Sequence, residues 1–528
     1  MGDRTKAWWL RAAWPIALAM LLAVTGCVGV ASTPAPDGPI MTPAAWSEPL
    51  ALRQTAAGAV RGVSGAGYSV YQGIPYAAPP VGPLRWKHAI PAAPWTGLRD
   101  ATAPSPRCVQ EGGSDAEDCL TLNVWAPVGA PAKPVLVWFH GGGFASGSAS
   151  LYQARRLAVD GDLVVVTVNY RLGALGFLAH PQLEDGNFGF TDQQLALRWV
   201  RDSIAAFGGD PNRVTIAGES AGAMAVCDHL SAPGSAGLFH AAILASGPCQ
   251  NQVDLESARA VGREYARSVG CPDGSDVARC LRALPAAELR GSPWYVRYAH
   301  NRVTGPVYGT PELPAAAMSR LGEPGTARVP VMIGTTADEF TLFTAITYLR
   351  THELPSAAEY PGLLRSVFGD DAAAVADRYP LHPGDEVIGR FAEAVTDGVF
   401  SCPTARMASL LSRRVPVYAY EFDDPDPPTP VSLQRVPFRV GAAHSLELRS
   451  LFEIGGAPDL TASQVRLSEQ MIRYWSAFAS YGAPAVPGAP DWPRWRTGEV
   501  LSLRPDGPRT MTTFATAHHC EFWNSLAR

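Results

Sequence analysis

The pentapeptide Gly218-Glu219-Ser220-Ala221-Gly222 constrains the fold of this chain more than any other stretch. It follows Arg213-Val214-Thr215-Ile216-Ala217, which reads as a short buried strand, and precedes residues 223–230, which read as a helix. A serine at so tight a strand-to-helix turn is a nucleophile elbow: it is held out at the strand end, with the helix N-terminus favouring negative charge beside it. The turn is strained, and a Cβ at Gly218 or Gly222 should collide with the neighbouring strand or helix. No second G-x-S-x-G occurs in the chain. A glycine-rich turn that merely carries a serine would not account for the strand before it and the helix after it.

The flanking sequence supplies a sheet for such a turn. Val135-Leu136-Val137-Trp138-Phe139-His140 is a continuous apolar run, the mark of a strand covered on both faces. It runs into Gly141-Gly142-Gly143-Phe144, where glycines let backbone N–H groups converge on one point. Similar strands are expected at residues 163–170, 241–247, 329–334 and 417–422, and an alternating strand at 120–125. Helices are expected at 191–207, carrying Leu195, Trp199 and Ile204, and at 465–481, with Met471, Trp475 and Phe478 as core positions. Residues 59–63 and 68–71 read as an early hairpin, 73–80 as a rigid loop, and 252–321 as helical with loops. Strand and helix alternate, so the expected class is α/β with an open, mostly parallel central sheet flanked by helices.

The 528 residues are 47% hydrophobic and 17% charged, enough apolar material for a large core. Net charge is −5 and no basic block appears, so nucleic acid is not an expected partner. Arg4, Lys6 and Arg11 precede a short apolar segment, residues 12–24, which ends in Val24-Thr25-Gly26-Cys27. This resembles a bacterial lipoprotein signal, in which the cysteine is lipidated and becomes the mature N-terminus. The expected organisation is a signal peptide at 1–26, a Pro/Ala/Ser/Thr-rich tether at 27–47, and one catalytic domain at 48–528. The chain would sit on the outer face of the bacterial cell membrane through Cys27, or be secreted if an ordinary signal is cut elsewhere. Membrane contact is expected only through that anchor. Nine cysteines minus Cys27 leave eight, an even set that reads as disulfide-bonded in an exported chain. The close pairs Cys108 with Cys119 and Cys271 with Cys280 would close small loops. No C-x-x-C or clustered Cys/His spacing indicates a metal.

Serine Oγ needs a base to take its proton. In the order Ser, acid, His, the acid candidates downstream of a strand are Asp338, Glu339, Asp423 and Asp424. The histidine candidates are His352, His382, His444, His518 and His519. His444 is the best placed, because the small residues Gly441-Ala442-Ala443 before it let its loop approach Ser220.

Over roughly residues 50–525 the chain resembles the carboxylesterase type B family of bacterial esterases, animal carboxylesterases and cholinesterases. The likeness rests on Gly73-Ile74-Pro75-Tyr76-Ala77-Ala78-Pro79-Pro80, Glu117-Asp118-Cys119-Leu120-Thr121-Leu122-Asn123-Val124, and His140-Gly141-Gly142-Gly143-Phe144. It continues through Asn169-Tyr170-Arg171-Leu172-Gly173, Gly218-Glu219-Ser220-Ala221-Gly222, residues 334–339, and Gly441-Ala442-Ala443-His444. The resemblance implies an α/β-hydrolase fold and a cofactor-free serine esterase acting on small-molecule carboxylic esters through an acyl-enzyme. It implies Ser220 as nucleophile, Glu339 as triad acid and His444 as general base. It also implies an oxyanion hole from the N–H groups of Gly142, Gly143 and Ala221. Family disulfides fall on Cys108–Cys119, Cys271–Cys280 and Cys402–Cys520, which leaves Cys227 and Cys249 for a fourth bridge near the nucleophile helix. Alternatives are an acyltransferase or amidase using the same triad, or a non-catalytic binding member of the family. Four departures stand out. The Cys108 to Cys119 loop carries no aromatic residue, which removes the cation–π cage expected for choline esters. Tyr308 stands where the family usually has Asp, and Phe340 and Ser445 stand where Gly is common. Nothing in the sequence indicates the oligomeric state.

Overall fold

The computed structural model describes residues 50–526, apart from residues 114, 130, 185, 251, 275, 299, 300 and 497. The expected signal peptide, Cys27, the tether and the domain start at residue 48 lie outside the described residues. The strands that build the main sheet are β1 (Leu50–Gln54), β2 (Ala59–Gly65), β3 (Tyr68–Pro75), β4 (Thr121–Pro127), β5 (Lys133–Phe139) and β6 (Val164–Val168). They continue with β7 (Gly209–Glu219), β8 (Ala241–Ala245), β9 (Val331–Thr336), β10 (Val417–Phe422), β11 (Val500–Leu503) and β12 (Arg509–Met511). The spatial order is β1-β2-β3-β4-β6-β5-β7-β8-β9-β10-β11-β12, and a short strand, Leu98–Asp100, pairs with β2. From β6 to β11 every pairing is parallel, while β1 to β4 and β12 add antiparallel margins. The α/β-hydrolase class is the observed one.

The continuous apolar runs have a direct cause. Side chains alternate between faces along a strand, and here both faces are covered. Val135, Val137 and Phe139 of β5 join one core, and Leu136 and Trp138 join the other. In β6, Val164, Val166 and Val168 face the first core, whereas Val165 faces the second. The first core is closed by helix α1 (Phe188–Ser203), through Leu195, Trp199 and Val200, and by α2 (Ala221–Ser231), through Ala223, Val226 and Leu230. Helix α3 (Thr341–Thr351) follows β9. The second core is closed by α4 (Ala462–Tyr481), which buries Met471, Ile472, Trp475 and Phe478. Thr461 caps α4 by accepting the Gln464 N–H, and Gly482 ends it at φ 68°.

Several boundaries differ from expectation. Residues 73–75 belong to β3 rather than to a loop, because Gly73, at φ 72°, forms a bulge after which pairing resumes at Ile74 with Leu122. The stretch 252–321 holds helices Leu255–Ser268 and Val277–Ala283, but also two small β pairs. In these, Val253–Asp254 lies beside Val307–Tyr308, and Val296–Tyr298 beside Asn301–Val303. Helix α1 begins three residues earlier than expected, and Ile204–Phe207 is a tighter turn ended by Gly208 at φ 84°.

The eight cysteines form four disulfides, Cys108–Cys119, Cys227–Cys249, Cys271–Cys280 and Cys402–Cys520. Such bonding belongs to an extracellular or exported protein. No helix among the described residues is long and apolar enough to cross a membrane.

Trp475 is 1% exposed and its ring meets those of Tyr420 and Trp492 at centroid distances of 5.1 and 5.9 Å. Trp475→Ala should therefore destabilise the protein by about 3–5 kcal/mol, read as a lowered midpoint in chemical denaturation.

Candidate active site

Strand β7 ends at Glu219, and the chain turns at Ser220 into α2. Ser220 has φ 55° and ψ −123°, a conformation that L-residues adopt only under constraint. The Ser220 N–H donates to the Ala245 carbonyl at 2.9 Å, which ties the turn to the end of β8. Both flanking glycines are sterically required. A Cβ on Gly218 would lie 2.4 Å from the carbonyl carbon of Gly222, and one on Gly222 would lie 2.0 Å from the Phe139 oxygen of β5. The nucleophile helix thus rests directly on two strand ends. Cys227 of α2 is bonded to Cys249, just beyond β8, so the same two elements are also joined covalently.

Strand β5 ends beside β7, and its glycine loop crosses the turn. A Cβ on Gly141 would meet Glu219 Oε2 at 2.7 Å and the Ser220 Cβ at 3.1 Å. Gly142 and Gly143 have φ values of 109° and 61°, which suit glycine. Their N–H groups donate to no acceptor among the described residues. Ala221, first in its helix, has no intrahelical acceptor for its N–H. The loop is held from behind. His140 stacks on Tyr170 at 4.4 Å, and the Tyr170 hydroxyl donates to the His140 carbonyl at 2.7 Å. Burial pushes the His140 imidazole down to about 4, so it is neutral at physiological pH. Buried Gln110 accepts the Gly147 N–H at 3.0 Å and donates to the Gly147 carbonyl at 2.8 Å. That pairing ties the far end of the loop to the Cys108–Cys119 segment.

Glu339 lies just after β9, and its Oε1 accepts the Thr336 N–H at 2.8 Å. Its Oε2 lies 2.5 Å from His444 Nδ1. Both side chains are fully buried, and the His444 N–H reaches the Glu339 carbonyl at 3.3 Å. Ser445 adopts φ 68°, the left-handed region, which explains why glycine suits this position. Phe343 and Phe400 flank the imidazole at 5.1 and 5.4 Å. Phe340 is itself buried against Phe343 and Phe391, so its ring extends the core.

The other acid and histidine candidates are engaged elsewhere. Asp423 pairs with Arg504, and Asp424 accepts from Gln464. His518 bridges Asp397 at 2.5 Å and Glu421 at 2.6 Å, and although burial opposes it, these carboxylates raise its imidazolium to about 10. His352 ends α3 in the left-handed region, His382 lies in the Asp385 turn, and the His519 ring packs on Tyr379.

Two residues escaped the sequence reading. Glu219 Oε1 lies 3.0 Å from His444 Nε2, and neither atom has a hydrogen-bond partner among the described residues. Glu447 is fully buried with both carboxylate oxygens unpartnered. Burial, followed by the charges of Glu219 and Glu339, raises Glu447 well above the usual carboxylate range. Burial also raises Glu219, against the attraction of His444. For His444 the balance is reversed: burial favours the neutral ring, but Glu219 and Glu339 raise its imidazolium well above the ordinary value. Spacing held a clue to Glu447, which stands three residues after His444 on the short turn Leu446–Ser450. Glu219 occupies the unspecified position before the serine, so its acidity drew no notice.

The arrangement predicts a sign. Glu219→Gln removes a negative charge beside the imidazole, so His444 should titrate at lower pH, measured by NMR with isotope-labelled histidine.

Residues 51–523 match the sequence model described as the carboxylesterase family. The chain is 34% identical over 493 residues to a fumonisin B1 esterase of Sphingopyxis macrogoltabida, covering 86% of this chain and 87% of that protein. It is 35% identical over 506 residues to a phenmedipham hydrolase of Pseudarthrobacter oxydans, covering 89% and 98% of the two chains. It is also 35% identical over 471 residues to an acylcarnitine hydrolase of Mus musculus, covering 81% and 82%. With this likeness running through both the sheet and the serine turn, the chain belongs to the carboxylesterase family and is a carboxylic-ester hydrolase.

Proposed function

We propose that Ser220, His444 and Glu339 act as nucleophile, general base and orienting acid of a serine carboxylesterase. The observation that carries this reading is the 2.5 Å contact of His444 Nδ1 with Glu339, which leaves Nε2, 3.0 Å from Glu219 Oε1, as the ring nitrogen not engaged by the triad acid. In the first step Ser220 Oγ attacks the ester carbonyl carbon and His444 Nε2 takes its proton. The N–H groups of Gly142, Gly143 and Ala221 receive the oxyanion, and each such donor contributes roughly 3–4 kcal/mol in comparable sites. His444 then protonates the departing alkoxide, leaving an acyl-Ser220 ester. Water attacks that ester while His444 takes a water proton. The proton returns to Ser220 Oγ as the carboxylic acid leaves. Glu339 orients the ring through Nδ1 and stabilises the imidazolium.

The substrate class is a small-molecule carboxylic ester. The three relatives are named for three different substrates, so none transfers to this chain. The Cys108–Cys119 loop offers no aromatic platform for a quaternary ammonium group, which argues against choline esters. The phenyl rings of Phe343 and Phe400 beside His444 favour an apolar group near the reacting carbon.

We assign residues 1–26 as a lipoprotein signal peptide, Cys27 as the lipidated N-terminus, residues 27–47 as a tether and residues 48–528 as the catalytic domain. The disulfides support export, and the Val24-Thr25-Gly26-Cys27 sequence supports the anchor. In cells given radiolabelled palmitate, the full chain should be labelled and partition into detergent, whereas Cys27→Ser should do neither. An unlabelled wild-type chain would point to ordinary secretion.

A fluorophosphonate probe should label Ser220 alone, and Ser220→Ala should abolish labelling and lower kcat roughly a thousandfold or more. A folded, disulfide-intact protein that resists the probe would defeat the triad reading and favour a binding role. Product analysis with competing alcohols separates hydrolysis from acyl transfer.

A further inference from the structure

The triad acid and base lie 105 residues apart in sequence, yet their side chains meet at 2.5 Å. Something must hold the two loops in register, and a neighbouring carboxylate does so. The Asp338 N–H donates to the Ala442 carbonyl at 2.9 Å, and the Ala442 N–H donates to Asp338 Oδ2 at 2.8 Å. Both backbone polar groups of Ala442 are thus taken up by the residue before Glu339. Thr341 Oγ1 lies 2.6 Å from the carbonyls of both Asp338 and Val440, so its single proton is shared across the same junction. Gly441, at φ 63°, sits so close to the carboxylate that a Cβ there would lie 2.1 Å from Asp338 Oδ2. Three residues further on is His444.

We propose that Asp338 is a positioning residue, whose carboxylate clamps the loop bearing His444 onto the loop bearing Glu339. The proposal rests on the triad reading above and adds to it the element that sets the acid-to-base distance. The clamp matters because the loop is not confined on every side. Asp338 lines a cavity of about 300 Å³, together with Thr341, Thr396, Glu393, Arg439 and His518. Without the carboxylate, the 441–444 segment has room to relax toward that space. The junction then keeps the Asp338 N–H to Ala442 bond at 2.9 Å, the long His444 to Glu339 contact at 3.3 Å and the Thr341 bond, but the Ala442 N–H loses its acceptor. A displacement of about 1 Å in a catalytic group costs on the order of a hundredfold in rate.

The electrostatics give a readout that a general loss of stability would not move. The groups facing His444 are Glu219, Glu339 and Glu447. Those facing Asp338 are Arg439, Asp423 and His518, with Glu386, Glu393 and Asp397 also on the cavity wall. Burial raises Asp338, and the Ala442 N–H and Arg439 oppose that rise. If the imidazole moves away from Glu339, it loses one of the two carboxylates that raise its pKa. The acid limb of kcat/KM then moves to lower pH. A variant that is merely less stable loses active molecules without moving the limb.

The test compares Asp338→Ala, Asp338→Asn and Thr341→Val with the wild-type protein on a p-nitrophenyl ester. Asp338→Ala should lower kcat about ten- to a hundredfold with KM within about twofold, and should move the acid limb to lower pH. Asp338→Asn should retain most of kcat and an unmoved limb, because its amide oxygen accepts the same Ala442 N–H. Thr341→Val, which removes one stitch, should lower kcat by about threefold. A folded Asp338→Ala protein with wild-type kcat, or with reduced kcat and an unmoved limb, would overturn the clamp. So would Asp338→Asn behaving as Asp338→Ala does. If Asp338→Ala fails to fold, wild-type behaviour of Thr341→Val would overturn it equally. An inactive wild-type protein that resists fluorophosphonate would instead defeat the triad reading.

Discussion

The site depends on the parallel register of β5 against β7, in which Gly218 stands opposite Phe139. Because the pairing is parallel, both strands end at the same edge of the sheet. One delivers the glycine loop and the other the serine turn, and the close approach of Gly222 to the Phe139 carbonyl seals the two together. The register continues outward, with Glu219 opposite Ala245 and Ala245 opposite Gly334. Strand β9 therefore ends level with β7, and Glu339 emerges within reach of the serine turn. A one-residue slip in any of these pairings would turn every side chain of that strand to the opposite face. The two filled cores forbid such a slip, so burial on both faces is what aligns the site.

Within that frame the unusual feature is charge. Three carboxylates, Glu219, Glu339 and Glu447, surround one imidazole in a region with almost no solvent exposure. Isolated buried charges are costly, and all three carboxylates cannot be ionised together around a single cation. Glu339 accepts hydrogen bonds on both oxygens, from Thr336 and from His444. Glu447 has no such support, and its carboxyl is driven toward the neutral form. Glu219 stands between them, close to the imidazole nitrogen that faces the serine turn. The cluster thus favours the imidazolium that forms when His444 takes a proton.

Much of this was legible in the chain itself. The serine turn could be read because its strain demands glycines at fixed positions, and the central strands because covering both faces demands apolar runs such as residues 135–139. The choice of Glu339 among four acids was a different matter. Local pattern could not separate it from Asp338 beside it, and family resemblance was needed. Strands β11 and β12 went unseen, being short and set among Arg and Pro, with no run long enough to show a period. Glu219 was overlooked because its proximity to His444 is created by tertiary folding. The Gln110 clasp on Gly147 is likewise a long-range pairing with no local signature.

The Cys402–Cys520 bond closes a loop with a sequence separation of 118 residues, and His518 lies beside it, joined to Asp397 and Glu421. Asp397 sits in the segment Thr396–Ser401, which also supplies Phe400 against His444. The end of the chain is therefore stitched to the wall of the site. During folding, the serine turn can form once β5, β7 and β8 have paired, but the imidazole and its surroundings need strands and a disulfide from the far end. A partly folded chain would display a serine without its base. The wall of the site is thus shared between segments more than a hundred residues apart, so a change near the end of the chain can reach the imidazole without touching the serine turn.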